Sequence, residues 1–163
     1  MYQLLFFLLL PIAAFAGCSF CDPKVITNQS VYENELFYVL VDYAPVVNGH
    51  LLVIPKRHIM KAHEMTKEEW SGLSDVIPKT VRVFQQAYNT DQYLILEKNG
   101  PFAGQTVPHV HFHLLPMSTN KISDAAKATL FAKIFNQMPT KLSPEETRLE
   151  VERLKKYFNA ENK

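Results

Sequence analysis

PHVHFHLLP, residues 108–116, sets three histidines at alternate positions. His109, His111 and His113 alternate with Val110, Phe112 and Leu114. Successive side chains of a β-strand point to opposite faces, with a rise of roughly 3.3 Å per residue. The stretch therefore predicts a strand that buries Val110, Phe112 and Leu114 on one face and carries three imidazoles on the other, neighbours about 6–7 Å apart. A strand whose apolar face is already filled has no packing reason to place three imidazoles opposite. The row holds half of the six histidines in the chain. Two chemistries suit it: His-x-His pairs that grip a metal, or one histidine acting as nucleophile while the others set its tautomer and orientation.

The loop upstream, NGPFAGQTVP (99–108), helps to choose. Its glycines let backbone approach a ligand closely. Gln105 and Thr106 can donate hydrogen bonds to phosphate oxygens without adding charge. Beside the histidine row, this loop reads as a phosphate cradle. Further out, ELFYVLVDY (35–43), HLLVIP (50–55) and QYLILEK (92–98) are rich in β-formers and read as strands. PVVNGH (45–50) carries turn signals between the first two. Thr66 and Glu69 form a capping box, and Trp70, Leu73, Ile77, Val81, Phe84 and Tyr88 recur at helical spacing. Pro78 falls inside that pattern and is expected to kink or interrupt the helix. A helix is predicted around 123–137, with Ala126, Leu130 and Ile134 apolar. Another starts at Ser143-Pro144-Glu145-Glu146, with Leu149, Leu154, Tyr157 and Phe158 facing inward. The order of elements gives an α+β fold with an antiparallel sheet, a flanking helix and C-terminal helices.

At 163 residues, 47% hydrophobic and 20% charged, the chain is long enough for a single domain with a core. The net charge of +1 and the absence of a long basic run argue against a nucleic-acid polymer as partner. Any phosphate contact is therefore a local site.

Residues 1–17 are a separate apolar segment. Leu4–Ala16 is too short for a span of about 20 residues and fits the length of a signal-peptide core, about 7–15 residues. Ala14-Phe15-Ala16 is a small-x-small cleavage pattern, and FAGC resembles a bacterial lipobox. Against both, Met-Tyr-Gln supplies no Lys or Arg. Export or membrane attachment through residues 1–17 and a cytoplasmic location with a buried first element all stay open. Asn28-Gln29-Ser30 matches a glycosylation sequon, a weak pattern. The two cysteines, Cys18 and Cys21, read as half of a zinc site or as a redox pair. His63 is expected at the surface. Lys56 and Arg57 are expected to be exposed, with steering of phosphates as the alternative. Trp70 is expected in the core or on the helix surface. Phe20 and Tyr43 are candidates for contacting a base.

HVHFHLLP resembles the H-φ-H-φ-H-φ-φ pattern of the histidine-triad (HIT) superfamily, φ being apolar. PVVNGHLLVIPKRH is similar to that family's second hallmark. GPFAGQTVPHVH is especially similar to its fragile-histidine-triad branch of dinucleoside-polyphosphate hydrolases, and CSFCDP resembles the opening of many bacterial members. The likeness covers residues 18–118, leaving 119–163 as a C-terminal helical extension. It implies an antiparallel sheet with a flanking helix, usually a homodimer. It implies His111 as nucleophile toward an α-phosphorus, with His113 and His50 orienting the site. Asp42 falls where the family grips ribose hydroxyls. Asp42, Asn99, Gly104, Gln105 and Thr106 are the candidate substrate contacts. Fragile-branch members often carry Asn where this chain has Asp42, which leans toward other branches. In relatives that open with C-x-x-C, a Cys₂His₂ zinc site is completed by positions matching His58 and His109. Cys18, Cys21, His58 and His109 are thus the candidate ligands of a structural zinc, and no organic cofactor is expected. Acylation of Cys18 at a lipobox, or export to an oxidising compartment, would conflict with that site.

The expected activity is dinucleoside polyphosphate hydrolysis through a nucleotidyl-histidine. Nucleoside phosphoramidate hydrolysis is the alternative within the enzyme class. A nucleotide-binding or zinc-bearing interaction module with little turnover is the alternative outside it.

Overall fold

The computed structural model describes residues 17–117, 123–136 and 141–161. The apolar segment Leu4–Ala16 lies outside the described residues. Among those described, no helix is long and apolar enough to cross a membrane.

Five strands form one antiparallel sheet: β1 (Ser30–Glu33), β2 (Phe37–Val41), β3 (Leu51–Pro55), β4 (Tyr93–Glu97) and β5 (Phe112–Pro116). Their spatial order is β1-β2-β3-β5-β4. The helices are α1 (Pro23–Gln29), α2 (Lys67–Tyr88), α3 (Asp124–Asn136) and α4 (Pro144–Ala160). The α+β class and the antiparallel sheet expected from the sequence are both present. The helix α1 and the strand β1 were not anticipated. Asp22 caps α1 by accepting from Lys24 N, and Pro23 opens it, so its start was readable. β1 is four residues long, and its register shifts between Ser30 and Tyr32.

One face of the sheet is covered by α2 and α4. Val39, Val41, Leu51, Val53, Phe112 and Leu114 meet Val76, Phe84, Leu154 and Phe158 there. Leu40, Leu52 and Ile54 face the other way, against Phe20 and Ile26. β3 is buried along its whole length for this reason.

Several expectations need correction. The helix α2 starts at the Thr66–Glu69 capping box as predicted but continues through Pro78. Its buried seam is Leu73, Val76, Thr80, Val83 and Phe84, while Ile77 and Val81 are half-buried and Trp70 is exposed. In α4 the seam is Thr147, Val151, Leu154 and Phe158, and Leu149 is exposed. In α3 only Ile134 is buried; Ala126 is exposed and Leu130 half-buried. The predicted end of that helix at 137 lies outside the described residues.

The histidine row differs in one respect. Strand β5 begins at Phe112, so His109 and His111 precede the ladder. His109 N donates to Val107 O at 2.8 Å, two residues back, which draws this part of the chain out of regular pairing. Val110 N donates instead to Ile59 O at 2.8 Å. The alternation survives: Val110, Phe112 and Leu114 all enter the core.

Candidate active site

Alternation along paired strands gathers one set of side chains on the sheet face away from α2 and α4. Leu52 and Leu96 both register with His113. Asp42 lies just beyond β2, His50 just before β3, and Lys98 just after β4. These residues line a cleft of about 660 Å³ with His111, His113 and Leu115. Ser19, Phe20 and Val25 close one side.

His111 is buried, yet it lines the cleft. Its Nδ1 lies 2.6 Å from the carbonyl oxygen of His109. A carbonyl can only accept, so Nδ1 carries the proton and Nε2 keeps the lone pair. Burial lowers the pKa of His111, which favours the neutral imidazole a nucleophile requires. The Phe20 ring packs edge-on against it, with centroids 5.1 Å apart.

His113 and His50 form a second unit. His50 Nε2 is 2.9 Å from His113 Nδ1, and His50 Nδ1 is 3.2 Å from Asp42 Oδ2. Asp42 Oδ1 is fixed by Ala44 N at 2.9 Å. The carboxylate favours a proton on His50 Nδ1; His50 Nε2 then accepts from His113 Nδ1. His113 Nε2 is buried and, among the described residues, has no hydrogen-bond partner. In a cleft-lining residue, such an atom is reserved for a ligand. Burial, together with His111, His50 and Lys98, holds the pKa of His113 down to about 2. Burial also lowers that of His50, against the pull of Asp42.

The first histidine of the row faces elsewhere. His109 is fully buried, and its Nε2 lies 2.9 Å from Pro55 O. That carbonyl fixes the proton on Nε2 and leaves the Nδ1 lone pair pointing at two thiols. Cys18 Sγ is 3.4 Å and Cys21 Sγ 3.6 Å from His109 Nδ1, and Cys21 Sγ is 3.2 Å from His58 Nδ1. All four ligand atoms lie within 4.8 Å of one another. Two sulfurs and two ring nitrogens at such spacing could hold a metal ion. Burial and the adjacent Cys18 push the Cys21 thiol up to about 12. The carbonyl of His109 also orients His111, so this cluster and the cleft are linked through one residue.

Of the other sequence candidates, Gly104 and Thr106 line the cleft, as do Phe20 and Tyr43. Asn99 and Gln105 do not. Asn99 Oδ1 accepts from Ala62 N at 2.7 Å, and its amide donates to Glu97. Gln105 Oε1 accepts from Gly100 N at 2.8 Å, and Nε2 donates to Met60 O at 2.8 Å. Both amides brace the loop. His63 is at the surface as expected. Arg57 is paired with Glu69 and Lys56 with Glu33. Sequence reasoning missed Lys98, Lys133 and Lys141, which all line the cleft. Lys98 follows a strand on the cleft face, a signal that was available; the other two come from a distant segment.

The antiparallel sheet thus holds His111 and His113 over a cleft and His109 against two thiols. The sequence profile of the HIT domain matches residues 23–120. The chain belongs to the histidine-triad (HIT) family. It is 36% identical over 115 residues to the adenosine 5'-monophosphoramidase HNT1 of Saccharomyces cerevisiae, covering 68% of this chain and 69% of that protein. It is 34% identical over 99 residues to the bis(5'-adenosyl)-triphosphatase of Dictyostelium discoideum, covering 60% and 66%. Among solved structures, a hypothetical histidine triad nucleotide-binding protein from Sulfolobus tokodaii superposes with a TM-score of 0.68 at 27% identity, over 88% of this chain and 93% of that one.

Proposed function

We infer that the protein is a HIT-type nucleotide hydrolase acting on an α-phosphate, and that His111 is its nucleophile. The observation that carries this is the bond from His111 Nδ1 to the His109 carbonyl, which leaves Nε2 basic in the cleft. In the first step Nε2 forms a bond to the α-phosphorus. The bond from phosphorus to the leaving group breaks, and its electron pair goes with the leaving atom. A proton taken up from solvent with the substrate, held on His113 Nε2 by the phosphate's negative charge, passes to that atom, and His113 returns one to solvent after the second step. In the second step water attacks phosphorus, and His113 Nε2 takes the water's proton. The phosphorus–His111 bond then breaks and restores the imidazole. The sum is substrate plus water giving a nucleoside monophosphate and the released group. Asp42 and His50 offset the charge that His113 gains.

The names of the two relatives span both leaving groups, an amine and a nucleotide. Dinucleoside polyphosphate hydrolysis is the first reading and nucleoside phosphoramidate hydrolysis the second. Gly104 and Thr106 are assigned to phosphate oxygens and Phe20 and Tyr43 to the base. Asn99 and Gln105 act by shaping the loop.

The Cys18, Cys21, His58 and His109 group is assigned to a structural zinc. The donor set fits it: two soft thiols, two ring nitrogens, and a carbonyl on the far side of His109 that leaves its Nδ1 lone pair facing the thiols. Zinc would tie Cys18 and Cys21 to the histidine row and contribute no step. A homodimer is supported by β4, an edge strand with Tyr93 and Ile95 exposed. Attachment to a membrane would require residues 1–17.

Steady-state hydrolysis of diadenosine triphosphate and of adenosine phosphoramidate, with wild type and His111→Asn, tests the assignment. Wild type releases AMP, and the variant loses at least about a thousandfold in kcat/KM. Equal, slow release by both proteins refutes it.

A further inference from the structure

Residues 121–161 lie beyond the matched HIT domain, yet part of this extension forms a wall of the cleft. Lys133, Ile134 and Lys141 all line it. Two separate contacts hold that wall in place. At the end of α3, Ile134 is buried and its carbonyl accepts from Lys98 Nζ at 2.7 Å. That carbonyl belongs to the last turn, where helical partners run out. Further on, Leu142 N donates to Tyr43 O at 2.7 Å, and Lys141 Nζ sits 5.7 Å from the centre of the Tyr43 ring. Both anchors are made to cleft residues, Lys98 just after β4 and Tyr43 just beyond β2.

The charge on this wall is one-sided. The cleft lining holds Lys98, Lys133 and Lys141, and among the described residues Asp42 is its single carboxylate. Lys98 is committed to the Ile134 carbonyl. Lys133 and Lys141 are exposed at the rim. A dinucleoside polyphosphate carries a negative charge on each bridging phosphate, whereas a phosphoramidate has an uncharged amine as its leaving group. Lysines placed on the cleft wall favour the former and do little for the latter.

We propose that the C-terminal extension determines the leaving group: Lys133 and Lys141 hold the phosphates beyond the α-phosphate and so select polyphosphate substrates. Lys98 is a positioning residue that docks α3. This rests on the hydrolase reading above and decides between its two substrate classes.

The test is the ratio of kcat/KM for diadenosine triphosphate to that for adenosine phosphoramidate. Lys133→Gln/Lys141→Gln should lower this ratio about tenfold, the scale of two exposed charge pairs. Lys133→Arg/Lys141→Arg should retain it, and raising the salt to about 0.5 M should shrink the difference between wild type and the Gln variant. A ratio unchanged within twofold overturns the proposal, as does an equal fall for both variants. A second arm is independent of turnover. In a His111→Asn background, calorimetry compares the affinities for diadenosine triphosphate and for AMP. The same Gln substitutions should lower the preference for the triphosphate about tenfold; an unchanged preference refutes the lysine assignment. Absence of hydrolysis by wild type would sink the hydrolase reading, and the binding arm would still decide the lysines.

Discussion

Replacing Gly49 with alanine should destabilise the protein and disturb its site together. Gly49 has φ +83°, in the left-handed region. A Cβ there would sit 2.5 Å from Tyr88 Cζ and 2.8 Å from its hydroxyl oxygen. Tyr88 is poorly able to yield. Its hydroxyl donates to Glu150 and accepts from Arg153 at 2.5 Å, both on α4. Left-handed backbone costs a residue with a Cβ roughly 1–2 kcal/mol, and overpacking adds about 1–3 kcal/mol. The expected loss is therefore about 2–5 kcal/mol, read as a lower urea midpoint at unchanged slope. His50 follows directly, so kcat should fall as well. Adding Tyr88→Leu should relieve the clash and show a favourable coupling of about 1–3 kcal/mol in the double-mutant cycle. A Gly49→Ala protein within about 0.5 kcal/mol of wild type would refute the reasoning.

Two further expectations follow from the site's supports. Removal of metal with a strong chelator, or Cys18→Ser, should lower the melting temperature and kcat together, because His109 is both a ligand candidate and the hydrogen-bond acceptor of His111; less than a tenth of an equivalent of zinc in purified protein would contradict the assignment. Glu69 is held below its ordinary value of 4.5, chiefly by Arg57 and against burial. Its contribution to stability should be present above that pH and be lost as pH falls through the lowered value. Glu69→Gln should flatten this acid limb in a pH series of urea midpoints, and an unchanged limb would contradict it.

Much of the site was legible because its logic is local. Alternation at 110–114 separates core from cleft whether or not the ladder has begun. The Thr66–Glu69 box fixes the start of α2 by its own side chains. Where long-range partners decide, the sequence was less informative. The seam of α2 drifted because a 3.6-residue period admits Val76, Thr80 and Val83 as readily as Ile77 and Val81, and the sheet selects. Gln105 reads as a phosphate donor until its amide is seen on Met60 and Gly100. Cys18 and Cys21 lie 37 to 91 positions from their histidines, so resemblance, and not spacing, joined them. Lys133 and Lys141 are brought to the cleft by long-range contacts, Ile134 to Lys98 and Leu142 to Tyr43.

The most direct measurement is to quench the protein in acid during turnover of labelled diadenosine triphosphate and map the adduct by mass spectrometry. One adenylyl group on His111, absent from His111→Asn, is the result expected. Label on another residue, or none under conditions where AMP is being released, would contradict the account.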